Sequence, residues 1–139
     1  MLLHENEKDI YGDTPERVLD IIESVGSAHL RLAWDSANFI QVGVQPFRDG
    51  FAMLAPYIDY LHVKDARLVD GAVTPVGEGN GEFRETVEAL VQSGFSGFAS
   101  LEPHLSSAGQ MGGFSGPVAF GVAARAFRKI AEEQGVSLI

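Results

Sequence analysis

Four short stretches of the chain each carry an apolar run that ends in a side chain able to hold a cation. They are Glu5 in LLHEN, Asp35 in LAWDS, His62 in YLHVK and Glu102 in SLEPH. Taken singly, none is diagnostic. An aspartate in such a place can cap a helix or form a turn, and a glutamate can be ordinary surface. A histidine closing an apolar run is commonly a satisfied rim residue. Taken together they make a pattern, because in parallel α/β folds the carboxyl ends of the strands converge on one face. Four such ends would bring three carboxylates and one imidazole to one place. That oxygen-rich set suits a single divalent ion, Mn²⁺ or Mg²⁺ first, with Co²⁺ or Zn²⁺ also compatible. Two glutamates beside such an ion suit proton transfer next to a carbonyl. The cation would polarise the carbonyl and adjacent hydroxyl of a sugar or hydroxy acid and stabilise the enediolate. One glutamate would take the proton and the other return it. Isomerisation, epimerisation and dehydration of polyols share this first step, and the residues do not choose among them.

The elements needed to position these groups are legible in the pattern. MLLHEN is a short apolar run, and Thr14-Pro15-Glu16 then opens a helix with a capping threonine and a proline in the first helical position. Val18, Ile21, Ile22 and Val25 mark its stripe, and Gly26 stops it. HLRLAWDS, from His29, is the second strand, ANFIQVGVQ a loop, and PFRDGFAMLAPY the second helix. YIDYLHVKD is the third strand, and the Gly-rich ARLVDGAVTPVGEGNGE connects it to the helix FRETVEALVQSG. GFASLEPHL is the fourth strand; a Gly/Ser loop from Ser106 to Gly116 leads to a last helix from Pro117 through VAFGVAARAFRKIAEEQ. This is βα repeated four times in one domain, residues 1–139, with strand starts roughly thirty to forty residues apart. Such spacing predicts a parallel sheet. It is either a four-stranded open α/β sheet or half of a (β/α)₈ barrel, which needs about 250 residues when complete.

Composition narrows the setting. The 139 residues include no cysteine, which excludes disulfides, a thiolate zinc site and a cysteine nucleophile, and fits a cytoplasmic protein. A net charge of −9 repels phosphate backbones, so no nucleic-acid partner is expected. No apolar stretch approaches the length of a membrane span, and the N-terminus turns acidic too early for a signal peptide.

At these residues the chain resembles the xylose isomerase-like TIM barrels, a family that includes sugar-phosphate isomerases and ketose epimerases. The matching pieces are HENEKDIYGDTPE, WDSANF, LHVKDA, PVGEGNGEF and LEPH. They span essentially the whole chain and align with the C-terminal half of that barrel. The resemblance implies that Glu5, Asp35, His62 and Glu102 are the metal ligands and that Glu5 and Glu102 are also the acid/base pair. It implies a sugar, sugar phosphate or polyol substrate. Asn38 stands where several epimerases of the family carry a substrate-binding histidine, which makes it a candidate substrate contact with a different side chain.

Other residues carry weaker signals. Lys64 could neutralise a developing oxyanion or a substrate carboxylate, or pair with Asp65. His104 could touch substrate beside Glu102. Glu7 and Lys8 read as loop charges at the mouth, and His4 and His29 as structural, since His4 alternates away from Glu5 and His29 opens its strand. The glycines of VGEGNGE lack a following Walker lysine, so they read as a tight turn over the metal site rather than a phosphate loop. An apurinic endonuclease-like phosphodiesterase is an alternative on the same barrel. It is disfavoured because such enzymes use several zinc ions and more histidines than the four here. A catalytically inactive barrel fragment or binding module is a second alternative, and a small independent α/β domain a third.

Half a barrel has two unpaired edges and an inward face without opposing strands. Counting back in twos from the ligands, that face includes Leu3, Ala33, Ile58, Tyr60 and Phe98, with Arg31 among them. Each exposed Leu, Ile or Phe forgoes about 1.5–3 kcal/mol. The expected remedy is a homodimer that closes an eight-stranded barrel, or pairing with a complementary half-barrel.

Overall fold

The computed structural model describes residues 1–105 and 116–138; apart from Gly116, the expected Gly/Ser loop lies outside the described residues. β1 (Leu2–Glu5) leads through a 3₁₀ turn, Tyr11–Asp13, to α1 (Pro15–Val25). Thr14 occupies the N-cap with extended backbone, but its side chain makes no capping hydrogen bond, so proline geometry sets this start. Gly26, left-handed at φ 59°, ends α1 by donating its N–H to Ile22 O. β2 (Leu30–Asp35) runs directly into α2 (Ser36–Gln41), a helix where the pattern predicts a loop. The cause is Asp35, whose Oδ1 accepts the Asn38 N–H at 2.9 Å and caps the helix. Ser36 to Ile40 are all buried, so α2 shows no amphipathic stripe in the sequence.

The expected second helix is graded rather than uniform. It opens as a wide π turn, Phe47–Phe51, narrows through α3 (Ala52–Leu54), and tightens into a 3₁₀ turn, Ala55–Tyr57. β3 (Ile58–Val63) follows. The Gly-rich connection holds a small antiparallel ladder of β4 (Asp65–Ala66) with β5 (Val73–Thr74). α4 (Phe83–Gln92), β6 (Phe98–Leu101) and α5 (Pro117–Glu133) complete the order. Among the described residues no helix is long and apolar enough to cross a membrane.

The four long strands form one parallel sheet in the order β1-β2-β3-β6, as consecutive βα units must when each crossover returns beside its predecessor. One face is packed. Leu32 and Trp34 of β2 and Leu61 and Val63 of β3 join Val18, Ile22, Phe83, Leu90, Phe127 and Ile130 from the helices in a single core. Trp34 is wholly buried and meets Phe39 and Phe51 edge-on, at centroid distances of 5.1 and 5.8 Å. The other face carries the metal-ligand candidates at its carboxyl end and is open below them, with Leu3 39% and Phe98 78% exposed.

One residue of the expected inward set belongs elsewhere. Leu32 pairs with Ile58 but Ala33 pairs with Tyr60, so β3 carries an extra residue, Asp59, at a bulge. The slip turns Ile58 into the core with Leu32, where it is 5% exposed. Asp59 accepts from Arg31 Nη2 at 3.0 Å, and Pro56 O takes a second bond from the same nitrogen. That ion pair is why an arginine can stand among inward positions.

Asp65 explains the glycines of the long connection. Its carboxylate is buried and accepts four backbone N–H bonds, from Gly77 and Gly79 on Oδ2 and from Gly81 and Ala66 on Oδ1, at 2.8–3.1 Å. Burial pushes its pKa up, and the four amides pull against that shift. A Cβ on Gly79 would lie 2.3 Å from Asp65 Oδ1 and 2.6 Å from Ala66 O. The turn in turn packs against the start of α2, since a Cβ on Gly81 would sit 3.0 Å from Ser36 Cβ. Gly79→Ala should therefore destabilise the fold by about 1–3 kcal/mol. Gly121→Ala, within α5, should stabilise it by about 0.5–1 kcal/mol. Paired urea denaturation curves check both, and equal effects of one sign would contradict the assignment.

Candidate metal centre

The register of the sheet brings the four strand-end groups together. Asp35 and His62 are Cα partners across β2 and β3, Glu5 lies one register step away opposite Ala33, and Glu102 follows β6 with its N–H donated to Val63 O. One ligand atom from each of Glu5, Asp35, His62 and Glu102 lies within 4.8 Å of the others. His62 is the hub. Its Nδ1 is 2.7 Å from Glu5 Oε1, 3.3 Å from Glu102 Oε2 and 3.9 Å from Asp35 Oδ2. The Tyr60 ring stands edge-on to the imidazole one inward position below, at 5.5 Å.

The remaining expected residues surround this cluster. Lys64 points to the same side as His62, as alternation requires, and pairs with Asp35 Oδ2 at 3.1 Å and Glu102 Oε2 at 3.4 Å. It does not pair with Asp65, whose oxygens are taken by backbone amides. His104 Nε2 lies 3.0 Å from Glu102 Oε1 at the exposed rim. Asn38 is buried, and its Nδ2 donates to Glu5 Oε1 at 3.3 Å and to Asn6 O at 3.0 Å. Asn6 is a residue that the sequence pattern does not single out. Wholly buried, it donates to Asp35 O at 2.7 Å and accepts the Asp35 N–H at 2.8 Å, an amide clamp that continues the β1–β2 ladder past its end. An asparagine after a strand-end glutamate carries no signal beyond an ordinary loop. His4 faces away, with its ring against Gly12.

Electrostatics tie the cluster into one unit. Burial pushes the Asp35 carboxyl up to about 6, against the pull of Lys64 and the Asn38 N–H. Hydrogen bonds to Glu102 first and Glu5 second raise His62 to about 10. The same His62 contact brings Glu102 down to about 2. Burial opposes the charge on Lys64, but Asp35 and Glu102 outweigh it and hold its pKa above the usual lysine value. His62 and Lys64 thus stand as cations among the carboxylates of the cluster.

The groups present fit a divalent cation. Asp35 Oδ2 is buried, faces the cluster and meets no well-aligned donor among the described residues, its nearest cation being the Lys64 ammonium at 3.1 Å. Three carboxylates and one imidazole supply hard oxygen donors with a single nitrogen. Asn38 and Asn6 fix Glu5 and the Asp35 backbone from behind, as outer partners of a ligand set do.

Without an ion, the His62 contacts make a signed prediction. A folded pKa above 6.5 contributes stability that is complete below that pH and is lost as pH rises toward about 10. NMR titration of the metal-free protein should find the His62 ring still protonated at about pH 8. Glu102→Gln removes the largest cause and should lower the midpoint by about one unit or more. A wild-type midpoint near 6.5 would show that the cluster does not form in solution.

Comparison with known proteins bears on the fold and the family. The family profile described as Xylose isomerase-like TIM barrel matches residues 1–130. An uncharacterised protein of Methanocaldococcus jannaschii is 29% identical over 98 residues, covering 70% of this chain and 33% of that one. The 2-epi-5-epi-valiolone 7-phosphate 2-epimerase of an Actinoplanes species is 32% identical over 76 residues, 55% of this chain and 28% of the relative. Among solved structures, a Mycobacterium smegmatis xylose isomerase-like TIM barrel protein in complex with magnesium superposes with a TM-score of 0.70 at 21% identity. The match covers 95% of this chain and 43% of that one. A D-tagatose 3-epimerase-like protein gives 0.69 at 22%, covering 94% and 46%. The chain thus spans a third or less of the relatives it matches and under half of the barrels, and its four βα units correspond to half of a (β/α)₈ barrel. It belongs to the xylose isomerase-like TIM barrel family.

Proposed function

We propose that this chain carries the metal and acid/base half of a sugar, sugar phosphate or polyol isomerase or epimerase. The observation that carries the reading is the convergence of Glu5, Asp35, His62 and Glu102 within 4.8 Å. The magnesium bound by a structural neighbour, the epimerase among the relatives and the epimerase-like neighbour support it. Those four side chains would hold one divalent ion, Mn²⁺ or Mg²⁺, which when bound would polarise a carbonyl and its neighbouring hydroxyl. Glu5 and Glu102 reach the cluster from opposite edges of the sheet, the arrangement needed to take a proton on one side of a carbon and return it on the other. Lys64 and His104 stand beside Glu102, where negative charge develops on an enediolate oxygen, and Asn38 holds Glu5 toward the substrate side. The cysteine-free composition suits a cytoplasmic setting.

With Mn²⁺ present, exchange of the substrate's α-proton with D₂O should be measurable by NMR. Glu102→Gln should slow it by about 10²–10⁴-fold, the usual size of a lost acid/base group. Unchanged exchange in that variant would place the chemistry elsewhere.

The open inward face supports a second part of the proposal. Leu3, Phe98 and the edges of β1 and β6, unpaired among the described residues, are to be covered by four further parallel strands, from a second copy or a complementary half-barrel. Sedimentation equilibrium of the 139-residue chain at micromolar concentration should give a dimer. A well-folded species at the monomer mass would refute this part.

A further inference from the structure

Lys64 is left over once four ligands are assigned to an ion, and its surroundings are those of a built-in charge. A lysine near a surface normally runs its ammonium out to water. Here the side chain is 6% exposed and its head is turned inward, 3.1 Å from Asp35 Oδ2 and 3.4 Å from Glu102 Oε2. Asp35 has no exposed surface, and its Oδ2 has no hydrogen bond to stand in for water. Lys64 is therefore the close cation that this oxygen has besides the more distant His62, at 3.9 Å. A divalent ion held by neutral His62 and three carboxylates would leave one negative charge, which the ammonium cancels.

We propose that Lys64 is a resident counter-cation of the metal site, holding Asp35 and Glu102 in their ligand positions when no ion is bound and making the loaded site neutral. The proposal rests on the metal reading above. It has two consequences of opposite sign. The ammonium stabilises the empty cluster, and it repels an incoming divalent ion a few ångströms away. Lys64 thereby trades metal affinity for the integrity of the metal-free fold. A lysine that served only as a packing stem would do neither.

The experiment compares wild type, Lys64→Met and Lys64→Arg by calorimetric titration with Mn²⁺ and by thermal melting in EDTA. Lys64→Met keeps the stem and removes the charge. It should bind Mn²⁺ about tenfold or more tighter while melting at a lower temperature in EDTA. Lys64→Arg keeps the charge and should stay within about threefold of wild type in affinity. If Lys64→Met does not fold in EDTA, refolding on addition of Mn²⁺ supports the proposal, and a chain still unfolded at saturating Mn²⁺ overturns it. Unchanged or weaker Mn²⁺ binding by Lys64→Met, or an arginine variant that behaves like the methionine one, also overturns it while leaving the metal site standing. Absence of Mn²⁺ binding by wild type would instead remove the metal reading itself, and this proposal with it.

Discussion

A carboxylate with no surface open to water is costly unless its neighbours replace the water. Asp35 is that carboxylate, and the organisation of the strand ends follows from satisfying it. Its backbone is clamped by Asn6, which ties β1 to β2 beyond the last ladder bond. Its Oδ1 caps α2, so the chain turns into a helix at once instead of wandering through a loop. Its Oδ2 is left for Lys64 and the ligand cluster. One side chain thus ends a strand, starts a helix and orients a charged group. The half-exposed partners Glu5 and Glu102 could not take this role, because water would compete for them.

The two faces of the sheet answer to different solvents. On the helix side, Trp34, Leu61 and Val63 interdigitate with α1, α4 and α5 in a continuous core. On the inward side the lower layers are thin: the Arg31–Asp59 pair, the Tyr60 ring and the exposed Phe98. The cluster above has a floor and a back wall from this chain, while the side facing away from the sheet is open among the described residues. Proton transfer at a weakly acidic C–H gains from a dry site, where charge interactions are undamped. For the proton transfer proposed above, this half would supply the charges, and whatever covers it would supply the enclosure.

The convergence of the four candidate ligands is legible in the sequence because their placement needs only local information. Apolar runs mark the strands, side chains alternate, and the last inward position of each run lands at the same end of a parallel sheet. Features that depend on a neighbour's register were not legible. Alternation alone turns Ile58 inward, because a bulge against β2 cannot be seen in β3 alone. α2 was hidden because a six-residue helix buried all round leaves no stripe. Thr14 stands at the start of α1 as its type predicts, yet its hydroxyl makes no capping bond. Lys64 left its partner open between substrate and Asp65, and the structure pairs it with Asp35 and Glu102. Asn6 and the amide cage around Asp65 were missed for one reason: both join side chains to backbone groups distant in sequence.

That cage governs how the connection before α4 can change over evolutionary time. Gly77, Gly79 and Gly81 donate to Asp65, while the amides between them bond elsewhere, Glu78 N–H to Pro75 O and Asn80 N–H to Ala66 O. The intervening Glu78 and Asn80 are exposed, and the Asn80 side chain has a local duty, accepting the Leu68 N–H at its Oδ1. The side chain at position 78 is therefore open to drift. The count of residues is not, since inserting or deleting one would carry the glycine amides beyond it out of reach of the Asp65 carboxylate. Variation in this stretch should appear as changes of letter at fixed length, in a region whose glycine content would otherwise suggest tolerance of both.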